Sequence, residues 1–179
     1  MVNSTLSPEF SRPIKVKGLP ADPVAVEADA EERAALAHRF GLPCIETLRA
    51  EVALEQRPGA IRATGTLNAA IRQMCAISGE DFPTNIDEAI DLRFVEETMV
   101  DRAIDNPEEL ELEADDCDEI DYSGDTFDLG EAVAQTLGLA VDPYAEGPEA
   151  DAARKREGIV VEGEQEGPLA EALKGLKGA

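Results

Sequence analysis

The strongest constraint on the fold is a switch of apolar parity across a single turn. From Glu46 to Arg57 the even positions Leu48, Ala50, Val52 and Leu54 are apolar, and Arg49, Glu51 and Glu55 fall between them. After Arg57-Pro58-Gly59 the apolar residues move to odd numbers: Ile61, Ala63, Leu67, Ala69, Ile71 and Cys75 alternate with Arg62, Thr64, Thr66, Asn68 and Arg72. A period of two marks a strand with one face buried and one solvated. A Pro-Gly turn between two such runs predicts a long antiparallel hairpin. Ser78-Gly79-Glu80-Asp81 supplies a second turn, after which Ile86, Ile90, Leu92 and Phe94 share one face with Glu88 as the exception. The result is a three-stranded meander.

Shorter elements flank it. Ile14 and Val16 alternate with Lys15 and Lys17, and Val24 and Val26 with Ala25 and Glu27, which predicts two short strands separated by Gly18, Pro20 and Pro23. Asp29 with Glu32 forms a capping-box pair ahead of Leu36 and Phe40, so a helix starts there and stops at Gly41-Leu42-Pro43. Asp128 with Glu131 opens a second helix, on which Leu129, Val133 and Leu137 form one stripe, and Gly138 and Pro143 are expected to end it. The fold expected is α+β: an antiparallel β-meander or partial barrel with two or three flanking helices. One domain is expected over residues 8–144, with an acidic loop at 101–125. Residues 145–179 read as a flexible tail or linker, with a short terminal helix carrying Leu169, Leu173 and Leu176 beside Lys174 and Lys177.

Charge decides which partners suit the chain. The 16 basic and 39 acidic residues leave a net charge of −23. The second part of the chain, from Asp101 onward, holds 23 of those acids. Such a field repels a phosphate backbone and attracts a basic protein. The absence of Trp and the presence of only two Tyr remove most of a base-stacking platform. The densest acids, among them Asp115, Asp116, Asp118, Glu119 and Asp121, resist compaction and read as a mobile partner-binding loop with one short edge strand near Ile120. Against this stands a set of cations on the polar face of the meander: Arg49, Arg57, Arg62, Arg72 and Arg93. They could form an RNA-binding stripe, or they could pair across strands with Glu51, Glu55, Asp87 and Asp91.

Catalytic templates find little support. His38 is the single histidine, and no GxGxxG, GxxxxGK[ST] or HExxH motif occurs. A Cys75–His38 nucleophile and base is the one enzymatic arrangement available; Cys75 reads more simply as a buried small residue. Cys44, Cys75 and Cys117 are too widely spaced for a paired-cysteine zinc site, and the acids around Asp118 lack the ligand spacing of a calcium loop. No metal and no cofactor are expected. The N-terminus lacks a signal-peptide pattern and no apolar run approaches the ~20 residues that span a bilayer. The chain is therefore expected in the cytoplasm, without membrane or DNA as partners.

Five segments together carry a resemblance: PEFSRPI (8–14), ADAEERAALAHRFGLP (28–43), GTLNAAIRQMCAISGEDFP (65–83), DLGEAVAQTLGLAVDPY (128–144) and PLAEALKGLK (168–177). In their order and spacing they resemble the YceD family of large ribosomal RNA subunit accumulation proteins, in the form common among alphaproteobacteria. The resemblance implies a role in synthesis, processing or stability of large-subunit (23S) rRNA, for a family often encoded beside a small basic ribosomal protein. It brings no catalytic residues; Cys75, Gly79, Asp128, Leu129 and Glu131 are the motif positions singled out. Many relatives carry a Cys-x-x-Cys or Cys-x-x-Thr where this chain has Cys75-Ala76-Ile77-Ser78, so a metal role at that turn is in doubt here. Two functions follow as expectations. One is a non-enzymatic factor that binds a basic ribosomal protein or assembly factor, so that rRNA depends on it indirectly. The other is direct rRNA binding through Arg49, Arg62, Arg72 and Arg93.

Overall fold

The computed structural model describes residues 8–97 and 118–159. The chain divides into two compact units, Met1–Gln73 with Pro83–Asp142 and Met74–Phe82 with Pro143–Ala179.

The first unit is α+β. The predicted hairpin is β3 (Cys44–Arg57) with β4 (Ala60–Met74), paired antiparallel from Cys44↔Arg72 to Arg57↔Ala60, with one register shift between Ile45 and Thr47. The parity rule holds on both strands: Leu48, Val52, Ile61, Leu67 and Ile71 are buried, and the residues between them are more open. β5 (Asp81–Glu96) follows, and the side-chain pairs Arg62–Asp91, Asn68–Asp87 and Gln73–Thr84 run in opposite order along β4 and β5, as antiparallel neighbours require. β2 (Val24–Glu27) adds antiparallel to the outer edge of β3.

The fifth strand, for which the sequence implied no direction, is parallel to its neighbour. β6 (Asp118–Tyr122) lies on the far side of β5 and runs parallel to it, so the sheet is mixed, in the order β2-β3-β4-β5-β6. Its two edges stay apart, and the sheet is open rather than closed into a barrel. The side-chain period that reveals a strand is the same in both directions, so sequence parity could not fix this one. β1 (Pro13–Lys15) pairs with β7 (Thr126–Asp128) in a separate two-stranded sheet.

Both expected helices form. α1 (Ala30–Phe40) begins at Asp29, whose carboxylate accepts the amides of Glu31 and Glu32 at 2.9 Å while Glu32 accepts the amide of Asp29 at 2.8 Å. It ends at Gly41 in the left-handed conformation (φ 65°) and packs on β3. α2 (Leu129–Ala140) buries Leu129, Ala132, Val133 and Leu137 on one stripe. Gly138 does not end α2; the helix runs through it to a cap at Val141. The reason for glycine is packing, since a Cβ at 138 would sit 2.8 Å from the Phe40 ring of α1. The helices and the inner sheet face enclose one core, with Phe10, Leu36, Leu67, Phe94 and Phe127 among its members and Phe94 stacked 4.2 Å from Phe127.

In the second unit, residues expected to be linker form α3 (Ala150–Glu157), closed by Gly158 in the left-handed conformation. Its buried face is made of Ala150 and Ala153 alone, too small to stand out as an apolar stripe. Arg154 ties the helix to Glu146 and pairs with Asp151 at 3.2 Å. The expected terminal helix at 168–177 falls outside the described residues.

Candidate functional site

Asp115 and Asp116 also fall outside the described residues, whereas Asp118, Glu119 and Asp121 lie on β6. Here the expected loop is strand, as foreseen near Ile120. Pairing of Leu92 with Asp118 and Phe94 with Ile120 puts Asp118, Ile120 and Tyr122 on the core side of the sheet. Glu119 and Asp121 face the other way. Among the described residues the strand distributes Asp118, Glu119 and Asp121 over both faces of a sheet edge, and all three are exposed.

The arginines of the opposite, polar sheet face are largely engaged. Arg62 forks onto Asp91 with bonds of 2.9 and 2.8 Å, and Arg93 pairs with Glu119 at 3.0 Å. Arg57 pairs with Glu55 at 2.5 Å. Arg49 is exposed and shares a shallow depression with Thr47, Asn68 and Asn85. Arg72 sits opposite Cys44 in the hairpin register and is half-buried. Cation and carboxylate alternate on this face, as cross-strand pairing requires.

The motif residues Asp128, Leu129 and Glu131 converge with the N-terminal PEFSRPI segment on one polar knot. Asp128 caps α2 by accepting the Glu131 amide at 3.1 Å, and it accepts the Ser11 hydroxyl at 2.5 Å and the Arg12 amide at 2.8 Å. Arg12 in turn forks onto Glu32 at 2.7 and 2.9 Å and donates to the Glu27 carbonyl at 2.9 Å. Arg39 of α1 forks onto Glu131 at 2.9 and 2.7 Å and reaches Glu9 at 3.0 Å. The Arg39 fork draws the Glu131 carboxyl below the usual carboxylate range, and the Arg12 fork does the same to Glu32. Gly130 completes the arrangement, because the chain at Phe10 passes so close that a Cβ there would meet the Phe10 carbonyl oxygen at 2.5 Å. Three of the segments that define the resemblance thus hold the N-terminal segment, α1 and α2 together. Asp128 and Glu131 are legible in the sequence as cap residues, whereas Ser11 and Arg12, the partners of Asp128, lie more than a hundred residues away and leave no local signal.

Cys75 and Gly79 belong to the second unit. Cys75 is 2% exposed, and its sulfur accepts the amides of Ile77 at 3.4 Å and Ser78 at 3.3 Å. The turn is closed by Gly79 N–H to the Cys75 carbonyl and by Cys75 N–H to the Glu80 carbonyl, both 2.9 Å, with Gly79 at φ 72°. Hydrogen bonds from Ser78, through both hydroxyl and amide, lower the thiol to about 7, assisted by the Gly147 and Ile77 amides. The donors around the sulfur are therefore amides and the Ser78 hydroxyl. His38 lies in the first unit, in the last turn of α1, beside a depression that Cys44 also lines. Among the described residues, no group of three His, Cys, Asp or Glu side chains could hold a metal ion. No helix among them is long and apolar enough to cross a membrane.

Residues 63–177, more than half of the chain, match the family model described as large ribosomal RNA subunit accumulation protein YceD. No curated protein and no solved structure matches the chain.

Proposed function

Because the chain belongs to the YceD family of large ribosomal RNA subunit accumulation proteins, we propose that it supports accumulation of that RNA without catalysis, by binding a basic ribosomal protein or assembly factor. The observation that carries this is the net charge of −23. On the described residues it is expressed in exposed acids such as Asp118, Glu119 and Asp121 on an edge strand. A field of that sign raises the encounter rate with a basic protein and opposes approach to free RNA. The rRNA then depends on the factor through the protein it delivers or holds. The setting is the cytoplasm, and the form is the one common among alphaproteobacteria. Residues 8–144 act as the binding body, and Asp115 and Asp116 are counted among the acids that bind the partner.

The test is capture of partners by the tagged protein from cells, with and without RNase, at two salt concentrations. Recovery of a basic large-subunit protein that resists RNase supports the proposal; recovery of rRNA precursors alone, lost with RNase, overturns it. The second reading, direct rRNA contact by the arginine face, is favoured by the exposure of Arg49 on that face. It requires that Arg62→Ala with Arg72→Ala weaken RNA binding and flatten its salt dependence.

A further inference from the structure

β6 covers only the last part of β5. Their pairing runs from Leu92↔Asp118 to Glu96↔Tyr122, and among the described residues no strand lies along the outer edge of β5 ahead of Leu92. Among the described residues that stretch of edge has no partner strand, and an uncovered strand edge is the template on which an extended peptide adds.

Alongside that edge lies a groove of about 560 Å³ between β5, β6 and α2. Its apolar lining includes Ile90, Leu92, Ile120, Ala132 and Leu139. Leu139 is 83% exposed, the most open of the large apolar side chains described. Its rim is acidic: Glu88, Asp91, Asp118 and Glu119 line it, and among the described residues no cation does. Asp91 and Glu119 are engaged by Arg62 and Arg93 on the opposite sheet face. Glu88 and Asp118 have no ion-pair partner among the described residues, and both stand at core-side positions of their strands, Glu88 between buried Ile86 and Ile90. The parity exception at Glu88 thus marks the place where the inner sheet face emerges into the groove. The C-terminal turn of α2 ends there too, with Leu139 and Ala140 at the wall and no basic residue in that turn to offset the negative pole of the helix.

We propose that this groove takes an extended basic segment of a protein partner, added as a strand to the edge of β5 ahead of Leu92. Alternate apolar side chains of the segment enter over Leu139 and Ile90, and its Lys or Arg side chains meet Glu88, Asp118 and the end of α2. Strand addition sets register through the backbone, and the charges select the segment. This rests on the protein-binding reading above and names its surface.

The probe is a nine-residue peptide alternating Val and Lys, compared with a block isomer of the same composition and with the alternating peptide N-methylated along one edge. Binding to the full chain is read by fluorescence anisotropy and by amide shifts in ¹⁵N-labelled protein. The alternating peptide should shift resonances of residues 86–92, 118–120 and 132–140. It should bind about tenfold more tightly than the block isomer and lose about tenfold on Leu139→Glu or on Asp118→Lys, each an exposed position whose change leaves the core intact. Equal binding of the two isomers, insensitivity to N-methylation, or a preference of the groove for single-stranded RNA over the peptide would overturn the proposal. The two readings separate in the capture experiment. If Leu139→Glu and Asp118→Lys still recover the basic protein that the unaltered chain recovers, the groove is refuted and the function stands. If the unaltered chain recovers none yet binds the alternating peptide as described, the function falls and the groove stands.

Discussion

Replacing Asp128 by Ala isolates the polar knot that joins the N-terminal segment to α2. The carboxylate accepts three hydrogen bonds, from the Glu131 amide, the Ser11 hydroxyl and the Arg12 amide. Loss of an N-cap costs about 1 kcal/mol. A hydrogen bond to a charged group contributes about 1.5–3 kcal/mol. Three bonds on one partly exposed carboxylate do not add, so the sum for Asp128→Ala is set at about 3 kcal/mol. For a chain of this size that corresponds to roughly 6–12 °C in Tm.

Urea unfolding followed by far-UV circular dichroism measures the loss, with two companions to assign it. Asp128→Asn keeps a competent cap and gives up the charge, so it should lose about 1–2 kcal/mol. Ser11→Ala should lose about 1 kcal/mol alone and almost nothing in the Asp128→Ala background, because its acceptor is already gone. Asp128→Ala within about 0.5 kcal/mol of the unaltered chain, the range of an ordinary surface change, would refute the assignment of this motif residue to folding. Partner capture by the residual folded protein should be unchanged, as befits a residue that holds the scaffold.

Gly130→Ala sets two effects against each other. Helix propensity favours Ala by about 1 kcal/mol; the 2.5 Å approach of the new Cβ to the Phe10 carbonyl, a backbone atom, opposes it, and overpacking of this kind costs about 1–3 kcal/mol or more. The expected net result in the same urea assay is destabilisation, and a gain would sink the close-approach argument. With Cys44 and Cys117 replaced by Ser, thiolate ultraviolet absorbance should titrate at about 7 rather than 9.0, and Ser78→Ala should move the midpoint upward. Since the folded value is the lower one, the thiol's contribution to stability is complete above pH 9.0 and is lost as pH falls through about 7. Glu32 and Glu131 are likewise depressed, so their contribution is full above their usual 4.5 and disappears as pH falls through the lower folded values; acid unfolding of Arg39→Gln should show a shallower pH dependence.

What the sequence made legible follows from what is local. The parity switch around Arg57-Pro58-Gly59 reports which side of each strand meets the core, and Leu48, Val52, Ile61 and Leu67 are buried accordingly. Asp29 and Asp128 announce their helices because a cap and its donors lie within three residues. Gly138 misled because a glycine that ends a helix and one that admits a neighbouring ring look alike in sequence, and only the approach of Phe40 tells them apart. α3 escaped because alanine contacts carry no amphipathic signature. The direction of β6 and the meeting of Ser11 and Arg12 with Asp128 are long-range facts with no local cause.

Glu88 shows how a violation of a local rule can carry more than the rule itself. An acid among Ile86, Ile90, Leu92 and Phe94 would be costly if the strand were covered throughout, since a buried unpaired carboxylate loses its hydration. Among the described residues nothing covers the sheet there: β6 pairs with β5 from Leu92 onward, Glu88 is exposed, and α2 lines a groove beside the edge. A free strand edge beside an exposed leucine is a hazard for self-association, and charge on such an edge is the usual defence. Acids serve that defence against a second copy of the same acidic chain, and at the same time they leave the edge attractive to a basic one. The same two carboxylates, Glu88 and Asp118, can therefore keep the protein from pairing with itself and select what pairs with it.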